Sequence, residues 1–129
     1  MLRAVALISL IYDVSAGLGF FFLRAPLGQL FNLAAPEPAI YADLTSIFLV
    51  SVGVGYLLPY RDPSRYRVYL WLFGVILKSA GAAAFALHYV LGNAPASFLI
   101  FAASDAIIAC LTLAALGTAP AEPPIERNA

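Results

Sequence analysis

The pattern of apolar and polar positions divides the chain into four long apolar runs, residues 2–23, 40–60, 66–90 and 96–116, separated by short polar breaks. Each run is close to the ~20 residues that an α-helix needs to cross the hydrocarbon core of a bilayer. The breaks carry helix-interrupting residues. RAPLGQLFNLAAPEPA, residues 24–39, holds three prolines and one glycine. Within it, LGQLFNL is short and amphipathic, and is expected to lie in the membrane interface. RDPSRYR, residues 61–67, is the most polar stretch, and Gly92-Asn93-Ala94-Pro95 reads as a tight turn. The first run is not a signal peptide on this reading. Its apolar stretch exceeds the ~7–15 residues of an h-region, and Asp13 interrupts it.

The few polar residues inside the runs recur three or four positions apart, so each set lies on one helix face. In the first run the set is Ser9, Asp13, Gly17 and Phe20; in the second, Asp43, Ser46, Val50 and Gly53. In the third it is Gly74, Lys78, Gly81, Phe85 and His88; in the fourth, Phe101, Asp105, Ile108 and Thr112. Polar and small residues on one face, with Leu, Ile, Val, Phe and Ala elsewhere, predict an all-α integral membrane bundle of four transmembrane helices with a polar interior. The four helices form one domain over residues 1–117. The proline-rich, polar remainder, 118–129, is expected to be a disordered cytoplasmic tail.

Composition narrows this further. Hydrophobic residues make up 63% of the chain and charged residues 11%, against about 45–50% and about 25% in a soluble domain. A formal net charge of zero and the lack of a basic patch argue against nucleic acid as a partner. Cys110, the single cysteine, excludes an internal disulfide and is expected to be a small buried hydrophobe. The chain contains no phosphate-cradling glycine loop, no H-E-x-x-H or C-x-x-C motif and no G-x-S-x-G elbow. No cofactor or metal site is therefore expected, and an enzyme is disfavoured.

Orientation follows from arginine. Arg61, Arg65 and Arg67 fall in one break, which the positive-inside rule assigns to the cytoplasm of the cell (inner) membrane. Four spans then place both termini inside with Arg3 and Arg127, leaving only Arg24 outside. Tyr56, Tyr60, Tyr66, Tyr69 and Trp71 are expected in the inner aromatic belt, Tyr41 and Tyr89 in the outer one.

This topology brings Asp13, Lys78 and Asp105 to one level near the midplane, with Asp43 and His88 nearer the outer surface. A lysine at the centre of a span costs roughly 2.5–3.5 kcal/mol, so acids at the same depth are expected to offset it. Which of Asp13 and Asp105 pairs with Lys78 is open, because helix order around the bundle is not determined by the pattern. The cluster reads as a structural clasp that fixes helix register. The alternative is a site for a small polar or cationic solute, or for protons, reached past Asp43 and His88. Three aspartates against one lysine leave excess acid. Asp43 by itself suits a helix N-terminus, where the dipole favours an anion. His88 by itself reads as a snorkelling polar end, and the two together make at most half of a metal site.

Several local patterns also carry a resemblance. They are Tyr12-Asp13, LLPYRDPSRY between the second and third runs, the W-x-x-G-x-x-x-K spacing of Trp71, Gly74 and Lys78, and Ser104-Asp105. Together they resemble a group of small uncharacterised bacterial four-helix membrane proteins. In size and layout only, the chain is also similar to DoxX-like proteins. The resemblance implies the four-helix membrane fold and no catalytic residue. Some DoxX-like proteins associate with redox partners, but Cys110 alone supports no redox role here. The expected role is a structural or accessory subunit in the lipid bilayer, assembled as a homodimer or with a membrane partner protein.

Overall fold

The computed structural model describes residues 1–118; residues 119–129, nearly all of the expected tail, lie outside them. The described chain is all-helical, with α1 at Leu2–Phe22, α2 at Arg24–Phe31, α3 at Ile40–Gly55 and α4 at Leu57–Arg61. A short α5, Arg67–Tyr69, leads into a π-helical stretch, Leu70–Leu77, which continues as α6, Lys78–Val90. The last helix is α7, Phe98–Thr118, which includes the first residue assigned to the tail by sequence. Four continuous stretches are long and apolar enough to span a membrane: Leu2–Phe22, Ile40–Arg61, Arg67–Val90 and Phe98–Thr118.

Local chemistry explains the interruptions. Pro59 has no amide proton, and its ring crowds the carbonyl four residues back; that residue is Gly55, where α3 stops. The break changes the hydrogen bonding around it. The Tyr56 N–H bonds the Gly53 carbonyl, and the Val52 carbonyl accepts the Tyr69 hydroxyl at 2.6 Å instead. The amphipathic LGQLFNL segment falls largely within α2, which ends at Asn32 in the left-handed conformation, φ 53°. Ser97 then donates to the Phe31 carbonyl and ties the end of α2 to the start of α7. Gly92 takes φ 73° in the turn before α7, a value at which a Cβ would be strained.

The first span is the hub. It packs along α3 and α4, against α7, and touches the π-helical stretch, while the π-helical stretch and α6 together pack along α7. Small residues set the approach. A Cβ on Gly53 would meet the Val14 amide nitrogen at 2.9 Å, one on Gly17 the Ser46 carbonyl at 2.8 Å, and one on Gly74 the Thr112 side chain at 2.7 Å. Of the faces predicted from spacing, Ser9, Asp13, Gly17, Ser46, Gly53, Gly74, Lys78, Asp105, Ile108 and Thr112 are buried, whereas Phe20, Asp43, Val50, Gly81, Phe85 and Phe101 are only partly buried and His88 is exposed.

An apolar core of Ala6, Val52, Tyr56, Leu70 and Leu116 closes the arginine-rich end of the bundle. Two expectations are corrected here. Tyr56 is wholly buried and Tyr69 is packed against it with ring centroids 5.2 Å apart, so both belong to the core rather than to an interfacial belt. Cys110 is exposed on the outside of α7, not buried. In a chain this apolar, burial inside the protein and burial in lipid carry the same sequence signal.

Candidate functional site

Lys78 is the first residue after the π-helical stretch. π-Helical turns are rare and are frequently found at functional sites. The stretch carries Leu70, Gly74 and Lys78 along one buried stripe facing α1 and α7. The Lys78 ammonium lies between two acids from two other spans. It hydrogen-bonds Asp13 Oδ1 on α1 and stands 3.1 Å from Asp105 Oδ1 on α7. Both acids pair with the lysine, and the bond to Asp13 is the closer. All three residues are buried, at 1%, 5% and 8% exposure for Asp13, Lys78 and Asp105.

Two further side chains complete the enclosure. The Tyr12 ring lies under the ammonium, 4.5 Å from Nζ to the ring centroid, a cation–π distance. The Tyr12 hydroxyl is 2.6 Å from Ser104 Oγ. Ser104 Oγ also lies 3.0 Å from the Phe101 carbonyl, to which it can donate. A symmetry emerges that spacing alone had not conveyed. Two dipeptides, Tyr12-Asp13 and Ser104-Asp105, face each other across the bundle. Their first members hydrogen-bond each other, and their second members share Lys78. The signal was present in the chain as a polar residue directly before each mid-span aspartate. Gly81 makes room on the third span, since a Cβ there would lie 2.8 Å from Asp105 Oδ2.

Asp43 and His88 share no hydrogen bond or ion pair with this cluster among the described residues. Asp43 is taken by Arg24, the one arginine that the topology leaves at the other end. This pair is about one-third exposed on each side. His88 is exposed on α6. Among the described residues, no group of three His, Cys, Asp or Glu is placed to hold a metal ion.

Beyond the cluster, toward Arg24, lies a layer of phenylalanines. Phe101 is one turn from Asp105 on α7, with ring centroids 6.0 Å from Phe20, 5.4 Å from Phe31 and 5.8 Å from Phe85. Phe20, Phe85 and Phe101 of this layer line an open cavity of about 790 Å³ together with α2 and the connection after it, with Arg24 and Gln29 among its polar lining. The cavity is lined mainly by apolar groups.

No family model matches the chain, and no curated protein or solved structure matches it.

Proposed function

We propose that the chain is a small multi-pass protein of the cell (inner) membrane with both termini cytoplasmic, and that it serves as a structural or accessory subunit whose spans are clasped by Lys78, Asp13 and Asp105. The observation that carries this reading is the enclosure of the ammonium. Asp13 and Asp105 come from two different spans, Tyr12 closes a third side, and every charged member is buried. Ion pairs of this kind fix helix register, because sliding either partner helix by one turn would leave a charge unpaired in a medium that solvates it poorly. The orientation is supported by the gathering of Arg3, Arg61 and Arg67 at one end. There Arg3 donates to the Arg61 carbonyl at 3.4 Å and Arg67 to the Leu116 carbonyl at 2.5 Å, near the α7 C-terminus where a cation is favoured.

The test is the stability in detergent of Lys78→Met alone and in combination with Asp13→Asn or Asp105→Asn. A clasp predicts strong loss in the single variant and recovery when the acids are neutralised with it. A neutral or stabilising Lys78→Met overturns the clasp. It would then favour the second reading, a site for a small polar or cationic solute or for protons. One observation supports that reading: Arg24 neutralises Asp43, yet two carboxyls still face one ammonium.

A further inference from the structure

The charge count at the cluster does not close. Lys78 supplies one positive charge, and Asp13 and Asp105 supply two acids. If both were ionised, the interior would hold a net negative charge at a depth where unpaired charge is costly. The hydrogen bonding does not close either. Asp13 Oδ2, Ser9 Oγ and the Tyr56 hydroxyl are all buried and have no hydrogen-bond partner. Ser9 and Tyr56 are wholly buried.

These three atoms belong to one place. Ser9 is one turn from Asp13 on the same face of α1, and Tyr56 of the second span is the neighbour of both. Unpaired buried polar atoms are uncommon in folded proteins, and each calls for an explanation. Here four occur in one cluster among the described residues: Asp13 Oδ2, Asp105 Oδ1, and the Ser9 and Tyr56 hydroxyls.

We propose that Asp13 and Asp105 together bind one exchangeable proton at neutral pH. The ligand is a proton rather than a metal cation because the spans are too tightly packed to admit an ion with its oxygen shell. A single added Cβ at Gly53, one turn before Tyr56, would already lie 3.1 Å from the Asp13 Cβ and 2.9 Å from a backbone nitrogen. A proton needs no such volume. The bound form holds one ammonium, one carboxylate and one carboxylic acid, and is neutral. The released form holds a net negative charge, so the interior becomes a two-state electrostatic element.

Both acids contact the same ammonium. The groups facing them come from every element packed around the site. They are Lys78 at the start of α6, Tyr12 on α1, Tyr56 between α3 and α4, and Tyr69 on α5. Arg24 and Asp43 neutralise each other elsewhere.

The test uses the full chain in lipid or detergent, with the aspartate carboxyls labelled with ¹³C. Infrared spectroscopy at neutral pH is expected to show the carbonyl stretch of a protonated aspartic acid, displaced by the label. The two other aspartates do not confuse it, since Asp43 is paired with Arg24 and Asp62 is exposed. Asp105→Asn is expected to abolish the band. The absence of a labelled band in the wild-type protein overturns the proposal. So does a melting temperature that rises with sodium but not with choline, which would make the ligand a metal cation. The inference goes beyond the clasp, and its readout is carboxyl protonation rather than stability, so either can fail alone.

Discussion

Among the described residues, two ion-pair sites, one around Lys78 and one around Arg24, are built from the same chemistry in different surroundings. At the centre, Lys78 is enclosed by Asp13, Asp105 and the Tyr12 ring, with its carboxylate partners 1% and 11% exposed at the side chain. At the far end, Arg24 meets Asp43 with each side chain about one-third exposed, beside an open cavity. In the first site, losing a partner strands a charge that neither protein nor lipid can solvate. In the second, water and lipid headgroups can replace the partner, so the pair contributes little. The lesson is that an ion pair's importance is read from what would surround the survivor, not from the contact itself.

The sharpest way to break this comparison is Lys78→Met, expected to cost about 3–5 kcal/mol in unfolding measurements in mixed micelles, with most of the loss recovered when both acids are made Asn. A cost near that of a surface pair would erase the distinction between the two sites. Next in size is Gly53→Val, which leaves every charge in place and attacks only the approach of the first two spans. The atom it would meet is the Val14 backbone nitrogen, which cannot rotate away, and a loss of about 1–3 kcal/mol is expected. Tyr69→Phe removes the hydrogen bond to the Val52 carbonyl and is expected to cost about 1 kcal/mol. Arg24→Gln is expected to cost less than about 1 kcal/mol and to lose that effect as salt is added, whereas the Lys78→Met cost should be insensitive to salt. His88→Ala, at an exposed position without a side-chain partner among the described residues, is expected to stay within about 0.5 kcal/mol of wild type. A large effect there would show that the far end takes part in holding the bundle.

The cavity next to Arg24 adds to the contrast. The apolar core at the arginine-rich end is filled by Tyr56, Leu70 and Leu116, all essentially without exposure. The opposite end is filled only as far as the phenylalanine layer, and above it α2 covers space rather than side chains. Tight packing resists change and open packing accommodates it, so the far end is where the molecule can tolerate substitution.

Much of this architecture was legible in the amino-acid chain. The four spans follow from run length and composition, because a helix is the only open-ended segment that satisfies its own backbone in lipid. The inward faces follow from three- and four-residue spacing, because helical geometry leaves no other way to align Ser9 with Asp13 or Gly74 with Lys78. The level of Lys78 between two acids follows from topology. Other features depended on which spans touch, and no local pattern encodes that. Lys78 pairs with both acids because α1 is the hub that meets α7 and the third span together. Arg24 finds Asp43 because α2 folds back toward the start of α3. Tyr56 is a core residue and Cys110 an exposed one because, in so apolar a chain, protein and lipid surroundings favour the same side chains. The chain by itself determined that four helices would cross the membrane and which faces would turn inward. Only the tertiary structure decided which charges meet, because helix order is set by packing between residues distant in sequence.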